Sequence, residues 1–506
     1  MHTTQDLNPL TKVAALEQDV LRILVAIRSA MNQIIPINRL PPEILAKAFE
    51  FREGDKDLIC ATHVCQRWRY ALISNPSLWT DVVFRSSNRR VLTYLPRSGA
   101  LPINVSFMPT HASTWKSHLE DILTSPIPWV NRVKLLNVEG DEEQIETVIQ
   151  RLCLPAPLLQ SLKLDRGQDP TLIGRLTGPV HFPNDFLGGH AISLRTLSFN
   201  SISPRTPITI LPLPSLTSFI WLDENSKVAA EDLLELLVSA PLLEYLAIRL
   251  RVRSPSVAEQ RTVVTLNRLQ RLTWSNIEGI FTLTSCLIAP ELRCLGVRLI
   301  SAPESLQCGL ASILPPNEGH LPLLIEPTEM NYTAREGSRL CYFHSATGTV
   351  SIAVIAPFGY RDNRTLPWPL RNTPISFRQV KEMTLEVGYH SFEGIPIEQF
   401  ENLETLELVG DGTILQPYYD RFSGARVIPF PALLRLLVTL DHPSFDILAS
   451  ALVAREQAGH RVGTLRVRGV CRRSTDIPIA KMKESVGELV LELMHGANCS
   501  WHLAQS

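Results

Sequence analysis

One short phrase recurs through the last four fifths of this 506-residue chain, and it limits the possible folds more than any other feature. The phrase is Pro-x-Φ-x-x-Φ-x-Φ, where Φ is an apolar residue, and some copies lack the leading proline. Copies with the proline begin at Pro128, Pro157, Pro214, Pro241, Pro290 and Pro431, and copies without it begin at Leu194, Leu269, Val380, Leu403 and Val462. Eleven copies, mostly 22 to 35 residues apart, indicate a structural repeat.

Each copy predicts a short β-strand that buries one face. The last two apolar residues of the phrase alternate with their neighbours, so in the copy at Pro241 we expect Leu246 to point inward and Ala247 outward. Helical patterns lie between several copies, at residues 141–152, 229–240 and 443–459. Helix followed by strand, repeated along a chain, predicts a parallel sheet that lines a solenoid, with the prolines at the step from helix to strand.

These repeats resemble an irregular leucine-rich-repeat array, which implies an α/β solenoid. Two features depart from that family. The Asn or Cys that usually stands three residues after the last apolar residue is replaced in four copies by Gly167, Ile202, Glu224 and Ile277. The gap from Leu292 to Val380 is longer than one repeat, so residues near 300–375 form either an irregular insertion or two degenerate repeats, with a β-hairpin across residues 339–356. An ordinary α/β domain whose strands share a phrase is the alternative.

The first fifth of the chain concentrates large apolar side chains in about fifty residues. Pro41 and Pro42 occupy the first turn of a predicted helix, where proline has no hydrogen bond to lose. A second helix carries Trp68 on its apolar face, and Leu78 and Trp79 follow in a short turn. So small a unit cannot bury all of these side chains within itself. They therefore pack on the rest of the chain or dock another protein.

The same stretch resembles the F-box. The ordered set that carries the resemblance is Leu40, Pro41, Glu43, Ile44, Asp57, Leu58, Val64, Cys65, Trp68, Arg69, Leu78 and Trp79. The resemblance implies a three-helix module that docks on a Skp-type adaptor and so joins a cullin-based ubiquitin ligase, with the two tryptophans divided between core and docking surface. The candidate adaptor-binding residues are Leu40, Pro41, Ile44, Leu45, Val64, Trp68, Leu78 and Trp79.

An amphipathic helix is predicted ahead of this module. From Leu10 to Ile34 the chain has no proline or glycine, and apolar residues recur at three- and four-residue steps. A coiled-coil dimer strand and packing against the chain's own body are both compatible with this pattern. The expected organisation is therefore an N-terminal helix at 1–36, an F-box at 37–85 and a leucine-rich-repeat-like domain at 86–506.

Composition and motifs exclude several function classes. The net charge of −1 gives no basis for nucleic acid or a membrane surface as a partner, and no apolar run reaches the length of a membrane span. Nine dispersed cysteines without a secretory signal pattern predict reduced thiols in the cytoplasm or nucleus. The chain has no nucleotide-binding, metalloprotease or nucleophile-elbow motif, and His63 with Cys65 has no second ligand pair. We therefore expect no cofactor, no metal and no catalytic role.

A candidate substrate face lies in the middle of the repeats. The residues that flank the inward apolar positions there are Tyr245, Arg249, Arg271, Ser275 and Arg298, whereas later repeats carry Glu382, Glu386 and Glu407. A basic centre of this kind predicts an acidic or phosphorylated segment as ligand, because arginine pairs bidentately with carboxylate and phosphate.

The leading functional hypothesis is a substrate-recruiting subunit of a Skp–cullin–F-box ubiquitin ligase. Its F-box would bind the adaptor, and its repeats would bind an unknown protein substrate. The runner-up is a repeat-class scaffold or binding protein whose F-box works outside a cullin ligase. A hydrolase or transferase on another α/β fold is the third and most distant possibility.

Overall fold

The mixed α/β class is confirmed: N-terminal helices are followed by a long, mostly parallel β-sheet structure, consistent with a leucine-rich-repeat-like solenoid. The computed structural model describes residues 9–50, 55–84, 89–108, 129–166, 180, 182–183, 186–189, 192–202, 213–253, 263–276, 286–300, 327–335, 338–345, 348–355, 376–387, 399–410, 430–440, 445–470 and 478–493. The chain divides into two compact units, Met1–Ser161 with Asp185–Gly188 and Leu162–Asn184 with Gly189–Ser506. The expected three-part division stays a prediction.

The first unit is rich in helices. Its helices are α1 (Pro9–Ile34), α2 (Pro42–Ala48), α3 (Asp55–Thr62), α4 (Gln66–Ile73), α5 (Arg89–Arg97) and α6 (Glu142–Arg151). Short 3₁₀ turns at Pro36–Arg39 and Pro76–Trp79 precede α2 and the first strand. Three parallel strands pair in chain order, β1 (Asp81–Phe84), β2 (Ile103–Phe107) and β3 (Val133–Glu139). Asp141 caps α6 through a reciprocal capping box with Gln144.

The second unit is mainly sheet. Its strands are β4 (Ser161–Asp165), which begins at the unit boundary, β5 (Thr196–Asn200), β6 (Ser218–Ala229), β7 (Tyr245–Arg253), β8 (Val264–Thr265), β9 (Arg271–Asn276), β10 (Leu287–Ile288), β11 (Cys294–Ile300), β12 (Glu329–Arg335), β13 (Ser338–Ser345), β14 (Gly348–Ile355), β15 (Glu382–Val387), β16 (Thr405–Gly410), β17 (Arg435–Leu440), β18 (Val462–Val470) and β19 (Val486–Leu493). Its helices are α7 (Ala230–Val238), α8 (Phe445–Gln457) and α9 (Ile479–Ser485).

The strand pairings reveal what interrupts the repeats. Strands β5, β6, β7, β9 and β11 pair in parallel and in chain order, and so do β15 to β19. Between these runs lies a three-stranded antiparallel meander placed in reverse order, because β14 pairs with β11 and β12 pairs with β15. The hairpin predicted across residues 339–356 is therefore confirmed as β13 and β14. The other residues between 301 and 375 lie outside the described part of the chain, apart from β12 and its approach.

The repeat phrase corresponds to buried side chains as predicted. In ten of the eleven copies all three apolar positions are buried, for example Leu243, Leu246 and Ile248. The copy at Pro128 differs, because Leu135 is only half-buried and Leu136 faces the core. The pairing of β3 with β2 shifts register at Ile103, and this irregularity moves the alternation by one residue.

Each leading proline except Pro128, which lies outside the described residues, occupies a tight turn just before the strand. The backbone N–H of Leu243 donates to the carbonyl of Ala240 at 3.3 Å, so Pro241 is the second residue of a four-residue turn. The same bond spans Pro157, Pro214, Pro290 and Pro431. Proline suits this position because its φ angle is already fixed near the value the turn requires. The residue before each of these five prolines is also buried, which adds a fourth apolar position that the phrase did not include.

One detail of the alternation was wrong. Ala247 was expected to face solvent, but only 4% of its surface is exposed. Its position on the sheet is the predicted one, between Tyr245 and Arg249 and opposite Ile220 and Thr273. A methyl group is so short that the longer side chains around it exclude solvent.

Candidate functional site

The module between residues 37 and 85 has its own small core. Helix α4 packs against both α2 and α3. Leu58 and Leu72 are fully buried, and Leu45, Leu78 and Trp79 are at most 3% exposed. Three of the candidate adaptor-binding residues, Leu45, Leu78 and Trp79, thus lie in the core of this unit.

The two tryptophans have different surroundings. Trp79 is buried, and its Nε1–H donates to the carbonyl of Leu72 at 2.8 Å. The ring meets Tyr94 edge-on at 4.8 Å between centroids, and the Arg97 guanidinium lies 4.4 Å from its centroid. A buried indole with a satisfied N–H and close aromatic and cationic neighbours stabilises the unit. Trp79 is therefore a core residue.

Trp68 instead contacts the segment that precedes α2 and the residue that follows it. Its Nε1–H donates to the Asn38 side-chain oxygen, and its ring packs against Phe49 with centroids 5.5 Å apart. From the same turn of α4, the Arg67 guanidinium donates to the carbonyl of Leu40 at 2.6 Å. These contacts hold the Leu40–Pro41 segment beside the start of α4.

Apolar side chains remain exposed around this segment. Ile44 on α2 is 50% exposed, and Val64, in the turn that opens α4, is 56% exposed. Pro41 is exposed, and Leu40 and Trp68 are half-buried. Ile35 and Ile37 are also exposed, and sequence reasoning missed them because they precede the recognised pattern. A set of exposed aliphatic side chains on a folded module is typical of a protein-binding surface.

The candidate substrate residues lie on neighbouring strands in matching register. Arg249 on β7 pairs with Ser275 on β9, which pairs with Arg298 on β11. Four residues towards the strand start, Tyr245 pairs with Arg271. Residues paired across β7, β9 and β11 form rows, and two such rows place all five predicted residues on one face of the sheet. Short side chains separate the two rows, namely Ala247, Thr273 and Gly296.

Two arginines on this face are close enough for their positive charges to interact. Burial lowers the pKa of Arg249, and the positive charge of Arg298 lowers it further. Ser275, between them, is only 7% exposed, and its hydroxyl has no hydrogen-bond partner within the described ranges. Arg271 and Arg298 form no ion pair with any acidic side chain that the structure describes. An anion placed over Ser275 would therefore relieve repulsion between two cations.

Two of the three acidic residues of the later repeats, Glu407 and Glu386, have polar partners in the described structure. Glu407 lies 3.7 Å from the Arg468 guanidinium of β18, and Arg468 donates to Glu492 at 2.8 Å. Glu386 accepts a hydrogen bond from Thr333 at 3.3 Å. Glu407, Arg468 and Glu492 thus form an ion-pair network in the region that was expected to be acidic.

Other kinds of site were sought in the part of the chain that the structure describes. Its histidine, cysteine, aspartate and glutamate side chains form no group of three that could hold a metal ion. Within the same ranges, each helix is too short or too polar to cross a membrane.

Comparison with known proteins identifies the N-terminal module. Residues 37–85 match the F-box-like family model. A search of curated proteins finds no match to this chain. An F-box-like domain implies binding of a Skp-type adaptor, and it points to an adaptor protein rather than a catalytic one. The chain therefore contains an F-box-like domain at residues 37–85, followed by a long, mostly parallel sheet region.

Proposed function

We propose that this protein is a substrate-recruiting subunit of a Skp–cullin–F-box ubiquitin ligase. The observation that carries the proposal is the F-box-like domain, whose Ile44 and Val64 are about half exposed, whereas Leu58 and Leu72 are fully buried. Aliphatic side chains left in water on a folded module gain about 25 cal/mol for each Å² that a partner covers. The Skp-type adaptor is that partner, with an interface of about 1,600 Å² in total.

The leucine-rich-repeat-like region supplies the substrate site in this proposal. Support comes from the row formed by Arg249, Ser275 and Arg298 on three adjacent strands. Strands in a sheet are about 4.8 Å apart, so the two arginines flank a gap of about 10 Å that one carboxylate or phosphate group fills. Arg271 and Tyr245 in the neighbouring row add a third cation and an aromatic contact. The ligand is an acidic or phosphorylated segment of a protein substrate.

Purification of the tagged full-length chain from cells tests the ligase assignment. We expect both a Skp-type adaptor and a cullin in the purified complex, because the adaptor bridges the F-box to the cullin. Recovery of the adaptor without a cullin would favour the scaffold alternative, in which the same module works outside a ligase. Recovery of neither protein would contradict the proposal.

Reversal of the basic face tests the substrate site. The triple variant Arg249→Glu, Arg271→Glu, Arg298→Glu replaces attraction with repulsion, so we expect it to lose the proteins that proximity labelling captures with the wild type. The matched control changes three exposed arginines outside the two rows, Arg195, Arg268 and Arg293, to glutamate. Both variants carry the same net charge, and both should retain the adaptor. An unchanged set of captured proteins in the first variant would remove this face from the proposal.

A further inference from the structure

Helix α1 exposes an apolar surface along its whole length. Every residue from Leu10 to Met31 is exposed, including the large aliphatic side chains. Packing of the helix against the chain's own body, one of the two possibilities left open by its sequence, is therefore not seen in the described structure. A helix in a protein owes most of its stability to packing of its apolar face, so a partner that covers the exposed residues of this 26-residue helix would stabilise it.

The exposed residues follow a heptad repeat. With Val13 at position a, seven consecutive a and d positions from Val13 to Ile34 carry only apolar side chains. In order these are Val13, Leu16, Val20, Ile23, Ile27, Ala30 and Ile34, and the six larger ones are 53% to 70% exposed. A seam at alternating three- and four-residue steps matches the contact line of a left-handed coiled coil.

The residue types in the seam indicate the number of strands. All four a positions are β-branched, two valines and two isoleucines, and the first d position is Leu16. β-Branched residues at a together with leucine at d favour a two-stranded parallel coiled coil. The d positions at Ile23 and Ala30 are less typical, but neither introduces a polar group into the seam.

Charges beside the seam indicate its direction. Lys12 occupies a g position and Glu17 the following e position. In a parallel pair of identical helices, the g residue of one lies beside the next e residue of the other, so Lys12 of each chain meets Glu17 of the other. An antiparallel pair would place g beside g and e beside e, which loses both attractions. Asp19 already pairs with Arg22 on the same helix at 3.2 Å.

We propose that α1 binds α1 of a second copy of this chain as a parallel two-stranded coiled coil. The seam would run most of the roughly 39 Å length of the helix. The coil ends at Ile34, and the F-box-like domain begins at residue 37, so dimerisation links two such domains through their N-terminal sides. This proposal rests on α1 alone and does not depend on the proposed ligase function.

The mass of the full-length chain in solution tests the proposal. Light scattering after gel filtration should give twice the mass of one chain for the wild type. The variant Val20→Glu, Ile27→Glu puts charge in the seam and should give the mass of one chain. The control Leu21→Glu, Val25→Glu puts the same charge on the outer face of α1, where the two residues are 55% and 56% exposed, and should stay dimeric.

Retention of the Skp-type adaptor by each variant checks that the neighbouring domain is folded. A wild-type chain with the mass of one copy would overturn the proposal. Equal dissociation of the seam variant and the outer-face variant would overturn it too. In the first case the seam binds a different protein or none.

Charge exchange tests the direction of the helices. Lys12→Glu should weaken the dimer, because it faces Glu17 of the second copy, and Lys12→Glu combined with Glu17→Lys should restore it. An Ile27→Cys variant should form a covalent dimer on mild oxidation, since equivalent a positions meet only in a parallel pair. Failure of both the restoration and the cross-link would exclude the parallel arrangement.

Discussion

We expect replacement of Ile44 and Val64 together by aspartate to abolish co-purification of the Skp-type adaptor and to leave the chain folded. Both side chains are about half exposed on the F-box-like domain, so their loss leaves the core of that domain intact. If each contributes as an interface hot spot, about 2 kcal/mol apiece, the affinity for the adaptor falls roughly a thousandfold. A tagged pull-down measures the loss, and circular dichroism shows that the fold is retained.

Two further variants separate docking from stability. Ile192→Asp makes the same chemical change at a 61% exposed isoleucine outside the domain, so it should leave adaptor binding unchanged. Leu78→Ala removes a side chain that is only 3% exposed, and we expect it to lower the melting temperature of the chain by creating a cavity. If the aspartate variant still retrieves the adaptor, the docking surface does not include Ile44 and Val64.

The sequence was sufficient to predict the repeated strands because their burial follows local alternation. A strand with an apolar residue at every second position has one apolar face, and that face is buried whichever distant residues pack against it. Leu406 and Leu408, for example, are fully buried at the positions that the phrase assigns to them. The sequence also predicted the position of the leading prolines before the strands, because a tight turn depends on the backbone geometry of only four residues.

What the sequence could not predict depends on contacts between distant residues. Solvent is excluded from Ala247 by longer side chains on its own and two adjacent strands. Arg455 is buried in α8, where its guanidinium donates to the carbonyl of Phe430 at 2.9 Å and burial lowers its pKa to about 10. An arginine within a helical pattern ordinarily predicts an exposed position.

The candidate sites, too, were predicted only where they depend on local sequence. The F-box pattern located the module, but core and surface within it depend on how three short helices meet. Trp68 and Trp79 are the same residue type eleven positions apart, yet only Trp79 is fully buried. The basic face was more predictable, because Arg249, Ser275 and Arg298 occupy equivalent places in consecutive phrases and parallel strands keep such places in line.

The strand alternation itself predicts opposite outcomes at two adjacent residues. On β9, Leu272 is 1% exposed in the core, whereas Thr273 faces solvent between Ala247 and Gly296. Leu272→Asp buries a carboxylate without a partner, which we expect to destabilise the fold by about 4 kcal/mol or more. Thr273→Asp keeps its charge in water near Arg249 and Arg298, so its cost should stay below about 1 kcal/mol.

Thermal or denaturant unfolding of the two variants measures this difference directly. The substitutions introduce the same side chain one residue apart on one strand, so the change in net charge is the same. The new carboxylate lies on opposite faces of the sheet in the two variants, because a one-residue step along a strand reverses the face. Equal destabilisation by the two variants would show that β9 does not bury one face, and the repeat interpretation of the other copies would lose its physical basis.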